Sequence, residues 1–123
     1  MDQKASISPQ DLYARLGTAV GPLVLDVRRA PAFEKADCLI ASSLRRTPEN
    51  VQAWQQALPR NRQVVAYCVH GHEVSQGVVA ALRTAGIDTA YLDGGIEAWI
   101  ACVYRKPKPG HNGDEVRQGS GVN

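Results

Sequence analysis

Short apolar runs bounded by glycine, proline or polar turns recur along the chain, at residues 23–27, 63–68 and 89–92. The first two are apolar almost throughout rather than alternating, which predicts strands buried on both faces; the third is predicted to be a further strand. Between these runs, apolar residues recur at the three- and four-residue spacing of amphipathic helices. The order of strands and helices predicts an α/β fold, with a parallel sheet flanked by helices on both sides.

Capping residues and glycines predict where the helices begin and end. Ser8 and Pro9 are typical of a helix start, and Gly17 can end that helix. Three further helices are predicted to begin at Thr47-Pro48, near Val74, and after Gly94-Gly95. Residues 36–46 have the least regular pattern, and we expect one short strand there, at residues 39–41.

The length of 123 residues fits one folded domain, which we place at residues 1–104. Residues 105–123 are rich in Pro, Gly, Asn and charge without periodicity, which predicts a disordered tail. This tail has four basic and two acidic residues, so it carries the whole formal charge of +2, and the rest of the chain is neutral. The charge distribution therefore gives no indication of nucleic-acid binding.

The sequence also indicates where the protein works. Its first residues lead into no apolar segment typical of a secretory signal, and no apolar run is long enough to span a membrane. Cys38, Cys68 and Cys102 are odd in number and lack CxxC spacing, which argues against a disulfide framework or a zinc ribbon. We therefore expect a cytoplasmic protein with reduced thiols.

The candidate reactive residues lie in one loop, which follows the second apolar strand and leads into a helix. Its residues are Cys68, Val69, His70, Gly71, His72, Glu73, Val74 and Ser75. In open α/β sheets, sites form where loops leave the carboxyl ends of the strands. Inward-pointing N–H groups and a helix N-terminus would favour a thiolate, which makes Cys68 a candidate nucleophile.

Structural interpretations stand beside the functional ones. Cys68 could be a small core residue at the end of its strand, while Cys38 and Cys102 are interpreted as packing residues. For Cys38, an exposed resolving thiol is the alternative. Alternate loop positions do not generally converge on a metal ion, so we expect no metal site, and His70 and His72 are interpreted as residues that line the loop.

Asp26 and Arg28 follow the first apolar run, and two interpretations remain open for them. They could form a structural ion pair, or they could support the neighbouring loop, with Asp26 accepting backbone N–H bonds.

Three motifs in this order resemble the rhodanese family over roughly residues 7–101. They are Leu25-Asp26-Val27-Arg28 followed by Phe33, Cys68 with its glycine-containing loop, and Leu92-Asp93-Gly94-Gly95-Ile96 with Ala98-Trp99. The resemblance implies a five-stranded parallel sheet and a sulfurtransferase that needs no cofactor. Cys68 would carry the sulfur as a persulfide inside a cradle formed by the loop. The implied partners are a small anionic sulfur donor and a thiol or cyanide acceptor, and we expect a monomer that binds neither nucleic acid nor membranes.

The loop departs from the common family pattern in two ways. Many active members have arginine at the fifth position after the cysteine, where this chain has Glu73, and like charge would weaken the binding of thiosulfate. The loop also resembles the longer loops of the related cell-cycle phosphatases and arsenate reductases, but their anion-binding arginine is replaced by Val74. It further resembles rhodanese-type proteins linked to chromate resistance. An oxyanion-handling enzyme and a non-catalytic sulfur-carrying or regulatory module therefore remain alternatives.

Overall fold

The computed structural model describes residues 5–16, 18–19, 21–36 and 38–104. In this part of the chain, five parallel strands form one sheet in the order β1-β5-β4-β2-β3. The strands are Ser6–Ile7 (β1), Leu23–Asp26 (β2), Leu44–Arg45 (β3), Val64–Tyr67 (β4) and Thr89–Leu92 (β5). The predicted five-stranded α/β fold is confirmed.

Helical segments connect the strands. The α-helices are Pro9–Arg15 (α1), Ala30–Lys35 (α2), Val51–Trp54 (α3), Glu73–Thr84 (α4) and Gly95–Trp99 (α5). Two 3₁₀ turns, Pro48–Asn50 and Gln55–Ala57, flank α3, and a π-helical segment, Ile100–Tyr104, continues α5. Because parallel strands need crossover connections, these segments cover the faces of the sheet.

The sheet separates two apolar clusters, one on each face. Val24 and Val65 belong to the cluster that contains Trp99 of α5, whereas Leu25 and Ala66 belong to the cluster that contains Leu82 of α4. Neighbouring residues of β2 and β4 thus point to opposite faces, as the pleat of a strand requires. Both faces are apolar, which is why these strands show continuous apolar runs in the sequence.

The first helix begins where the capping residues predict. The Ser8 hydroxyl accepts the N–H of Asp11 at 3.1 Å, and Pro9 is the first helical residue. The helix ends at Arg15, and Gly17, the predicted end, lies outside the described residues.

The strand expected at residues 39–41 is wrong, because the strand lies later, at Leu44–Arg45. Ile40 is fully buried, and its N–H donates to the Tyr67 hydroxyl at 3.2 Å instead of to a neighbouring strand. Ile40 is apolar because its side chain is buried in the core, not because it belongs to a strand. The sequence pattern does not predict the short elements β1 and α2, because two and six residues are too few to show a period.

The predicted tail, residues 105–123, lies outside the described residues. Among the helices that the structure does describe, none is both long enough and apolar enough to cross a bilayer.

Two glycines near the start of α4 are expected to respond in opposite ways to alanine substitution. Gly71 has φ +75°, and an added Cβ would lie 2.7 Å from both the Gly94 nitrogen and the Leu92 oxygen. Gly77 lies inside α4, and an added Cβ would have no neighbour within 4 Å among the described residues. Gly77→Ala should raise the free energy of unfolding by about 0.5–1 kcal/mol, and Gly71→Ala should lower it by more than about 1 kcal/mol. Urea denaturation measures both, and shifts of the same sign would contradict the roles assigned to these two glycines.

Candidate active site around Cys68

Cys68 lies between the carboxyl end of β4 and the beginning of α4. It directly follows the last residue of β4, and only 6% of its surface is exposed. Its Sγ is 3.2 Å from the hydroxyl oxygen of Ser75, the third residue of α4, which is fully buried. The thiol therefore has one fixed polar partner, at a helix N-terminus whose partial positive charge favours an anion.

The carbonyl groups of the loop are occupied by neighbouring elements. The Cys68 carbonyl accepts the N–H of Ile96 at 2.9 Å, and the Val69 carbonyl accepts the N–H of Glu97 at 3.2 Å. The Gly71 carbonyl accepts the side-chain amide of Gln76 at 2.9 Å. The first turns of α5 and α4 thus hold the loop by its acceptors.

The N–H groups of the same loop differ from its carbonyls in their hydrogen bonding. Among the described residues, the N–H groups of residues 69–75 donate to no protein acceptor. A trans peptide directs its N–H opposite to its C=O, so the N–H groups of Val69 and His70 point away from α5. A row of free donors next to a cysteine at a helix N-terminus can bind an anionic group.

Two glycines let the loop and α5 approach backbone to backbone. An added Cβ on Gly95 would lie 2.3 Å from the Val69 oxygen, and one on Gly71 would lie 2.9 Å from the Gly95 nitrogen. Both glycines have positive φ, +75° for Gly71 and +66° for Gly95. Side chains at these positions would separate the loop from the helix that binds its carbonyls.

Beneath the loop, Asp26 and Arg28 form a buried ion pair. Arg28 donates to the carboxylate from Nη2 at 2.6 Å, from Nε at 3.0 Å and from its backbone N–H at 3.1 Å. Tyr67, the residue before Cys68, donates its hydroxyl to the same carboxylate at 3.1 Å. The ion-pair interpretation is the one that the structure shows, the backbone N–H that Asp26 accepts is that of Arg28, and the pair meets the loop through Tyr67.

This network changes the protonation of two of its members. The bidentate bond to Asp26 raises the pKa of Arg28 above its usual value, although burial opposes the shift. Burial raises the pKa of Tyr67 to about 12. Because Tyr67 uses its single proton on Asp26, the hydroxyl of Ser43, at 3.0 Å, is the donor in the bond between these two side chains.

The outer part of the loop is exposed. His70 and His72 lie with their ring centroids 6.3 Å apart, and His70 Nδ1 is 3.3 Å from a carboxylate oxygen of Glu97. Glu73 is exposed at the start of α4, and Val74 is half-buried. In the described part of the chain, no three His, Cys, Asp or Glu side chains are placed to hold a metal ion. The loop that follows the buried thiol therefore carries amide donors with no acceptor among the described residues, and it has charged side chains at its edge.

The other two cysteines lie in different surroundings. Cys38 is half-buried against the cluster that contains Trp99, and its carbonyl accepts Arg28 Nη2 at 3.2 Å. Cys102 is exposed, and its sulfur accepts the Gln10 side-chain amide at 3.5 Å. The packing role expected for Cys102 is therefore wrong, because Cys102 is exposed instead of buried against the core.

Two groups of the site are not singled out by the sequence pattern. Tyr67 fits the pattern of a buried strand, although a phenol at the end of such a strand needs a polar partner. Ser75 is predicted as one of several loop residues rather than as the partner of Cys68. Its position within the first turn of the helix that follows the cysteine is the signal that could have identified it.

The family model for the rhodanese-like domain matches residues 8–102. A rhodanese-related protein from Thermoplasma volcanium is 29% identical, with 83% of this chain and 94% of that chain covered and a TM-score of 0.69. A rhodanese homolog from Thermus thermophilus is 30% identical, with 76% and 98% covered and a TM-score of 0.62. A rhodanese-like domain protein from Staphylococcus aureus is 26% identical, with 79% and 91% covered and a TM-score of 0.68. No protein of curated function matches the chain.

The buried phenol is expected to make stability depend on pH in the alkaline range. The pKa of Tyr67 is about 12 in the folded protein and near 10 in an unfolded chain. The neutral phenol therefore stabilises the fold fully below pH 10, and that contribution is lost as the pH rises from 10 through 12. The free energy of unfolding of the wild type should fall by up to about 1.4 kcal/mol per pH unit more than that of Tyr67→Phe. Urea denaturation across this range measures the slopes. Tyr13→Phe, at an exposed tyrosine, should keep the wild-type slope, and parallel curves for wild type and Tyr67→Phe would contradict the prediction.

The contact between Ser75 and Cys68 is expected to control the reactivity of the thiol. In Ser75→Ala the thiolate loses its hydroxyl donor, so alkylation by iodoacetamide at neutral pH should slow by about three- to tenfold. Peptide mass spectrometry follows each thiol separately, and the exposed Cys102, which does not contact Ser75, is the internal control. An unchanged rate at Cys68 would show that the hydroxyl does not stabilise the thiolate.

Proposed function

Because the chain belongs to the rhodanese-like domain family, we propose that it is a sulfurtransferase that moves a sulfane sulfur through a persulfide on Cys68. One observation carries the proposal. The buried Sγ of Cys68 has the Ser75 hydroxyl at 3.2 Å, and the loop that follows Cys68 has N–H groups that donate to none of the described protein atoms. This arrangement can stabilise negative charge on the sulfur before and after transfer.

In the first step the Cys68 thiolate attacks the outer sulfur of a donor such as thiosulfate. A bond forms between Sγ and that sulfur, the sulfur–sulfur bond of the donor breaks, and sulfite leaves with the electron pair. One thiolate and a dianion thus give one persulfide anion and a sulfite dianion, so the charge balances. The loop N–H groups would bind the negative charge of the new terminal sulfur.

In the second step an acceptor thiolate or cyanide attacks the terminal sulfur of the persulfide. The new bond joins the acceptor to that sulfur, and the Cys68 sulfur leaves as a thiolate. The Ser75 hydroxyl, which is within hydrogen-bond distance of Sγ, would donate to this leaving thiolate. Ser75 is thereby proposed as a residue that stabilises both the attacking and the departing sulfur.

The charge at the edge of the loop bears on the choice of donor. Glu73 is exposed at the fifth position after Cys68, and a carboxylate there repels a dianion such as thiosulfate more than a donor of lower charge. Thiosulfate is therefore proposed as a usable donor rather than the preferred one.

Oxyanion hydrolysis or reduction is the weaker candidate for this site. Val74 occupies the sixth position after Cys68, where an arginine would clamp a phosphate or arsenate with two parallel hydrogen bonds. A purely regulatory module would not require a cysteine with its own hydrogen-bond partner. The cysteines of the described residues are unpaired, and we propose a reducing compartment such as the cytoplasm as the place of action.

Intact-protein mass spectrometry after incubation with thiosulfate tests the proposed function. Wild type should gain the mass of one sulfur atom, which a thiol or cyanide then removes, and Cys68→Ser should gain none. Cys38→Ser and Cys102→Ser are matched controls, and both should load as the wild type does.

A wild-type protein that stays unmodified, tested also with a cysteine persulfide as donor, would overturn the sulfurtransferase proposal. So would a Cys68→Ser protein that transfers sulfur as fast as the wild type.

A further inference from the structure

A groove of about 200 Å³ adjoins the candidate active site. It lies between the start of α4 and the segment around Pro48, and its walls include Arg29, Glu49, Val51, Glu73, Val74 and Gly77. This volume is below the roughly 300–1,000 Å³ of pockets for drug-sized ligands, so the groove suits a small molecule.

The groove lies at the same edge of the sheet as Cys68. Strands β2, β3 and β4 end level with one another, because Asp26 is in register with both Arg45 and Tyr67. Arg29 follows the end of β2, Glu49 follows the end of β3, and Glu73 and Val74 follow Cys68 at the end of β4. The groove is thus built from the three connections that leave this edge.

The backbone does not require glycine at position 77. Gly77 lies in the interior of α4, where glycine is an unfavourable residue, and it does not have a positive φ. A Cβ at this position would meet no atom of the described residues within 4 Å. Because Gly77 has no side chain, this part of the groove stays open.

The charges of the groove are not neutralised by each other. The ion pairs between described residues are Arg28–Asp26 and His70–Glu97, and neither involves Arg29, Glu49 or Glu73. Within the described part of the chain, the groove therefore offers one unpaired cation and two unpaired carboxylates above an apolar surface formed by Val51 and Val74.

We propose that this groove binds the α-amino-acid end of a cysteine-type thiol, which is the sulfur acceptor of the reaction. The ligand's carboxylate pairs with Arg29, its ammonium pairs with Glu73 and Glu49, and its side chain carries the sulfur toward the loop. The acceptor role rests on the proposed function, whereas the binding site does not.

The transfer step balances without a further reactant. The thiolate of the bound amino acid attacks the terminal sulfur of the Cys68 persulfide, forming a bond to that sulfur. The bond between this sulfur and Sγ breaks, and Cys68 takes the electron pair as a thiolate. The product is an amino-acid persulfide, and the transferred sulfur keeps its oxidation state.

Binding is tested with three unreactive thioethers that differ only in their charged ends: S-methylcysteine, 2-(methylthio)ethylamine and 3-(methylthio)propanoate. Calorimetry or NMR titration of the full chain should show S-methylcysteine binding roughly five- to tenfold tighter than either of the others. Arg29→Gln should remove the preference over the amine and keep the preference over the carboxylate. Equal affinity for the three compounds would overturn the inference.

Gly77→Leu tests the location of the site, because leucine favours a helix and would fill the groove. It should lose the preference for S-methylcysteine, whereas Ala80→Leu, at an exposed position of the same helix, should keep it. Thermal unfolding of both variants verifies that they are folded. Retained preference in a folded Gly77→Leu protein would overturn the assignment of the groove.

A transfer experiment separates this inference from the proposed function. Persulfide-loaded protein is mixed with cysteine, cysteamine or 3-mercaptopropionate, and rates are compared per thiolate. Cysteine should react roughly five- to tenfold faster, in line with its binding preference. Equal rates would overturn the acceptor assignment and leave the sulfurtransferase proposal standing. Failure to form the persulfide would defeat the proposed function, and the thioether titration would then decide the binding site by itself.

Discussion

The carboxylate of Asp26 is the point on which the edge of the sheet that carries the candidate active site depends. It accepts two side-chain N–H groups and one backbone N–H from Arg28, together with the hydroxyl of Tyr67. Through Tyr67 it also reaches the backbone of Ile40 and the side chain of Ser43, so one buried anion joins β2, β4 and the segment before β3. A buried carboxylate is tolerated because its hydrogen bonds and its ion pair compensate for lost hydration. Cys68 is the next residue along the chain from this network.

The backbone polar groups of the loop that begins at Cys68 fall into two sets, the carbonyls and the N–H groups. The acceptors of Cys68, Val69 and Gly71 are used by α5 and by Gln76, which fixes the shape of the loop. The donors of residues 69–75 remain unused by the described protein atoms. Loop and helix can pack this closely because Gly71 and Gly95 lack side chains, so positive φ at both is a condition of the site. The shape of the loop therefore follows from backbone packing rather than from the identity of the loop side chains.

The fold could be predicted from the sequence where buried residues form a clear apolar pattern. Strands β2 and β4 are almost wholly apolar on both faces, and α4 is long enough to show its period. The strand predicted around Ile40 is wrong because an apolar residue can be buried without pairing in a sheet. The hydrogen-bond partner of Ile40, Tyr67, is 27 residues away in the chain. At the site, Cys68 and its loop could be found from their order along the chain. The Tyr67 hydroxyl network and the groove could not, because each depends on residues that only the folded sheet brings together.

The contact between the loop and α5 also has a consequence for the proposed reactivity of Cys68 while the chain is being synthesised. A chain made from its N-terminus contains Cys68 well before Ile96 and Glu97, whose N–H groups hold the loop carbonyls. Until α5 is made and docked, the loop carbonyls of Cys68 and Val69 lack the N–H donors that hold them in the folded protein. A truncated chain that ends before Gly95 would likewise keep Cys68 and lose α5, the helix that orients the loop. Because the proposed nucleophile precedes the helix that orients its loop by about a quarter of the domain, the proposed reactivity of Cys68 would await the synthesis of α5.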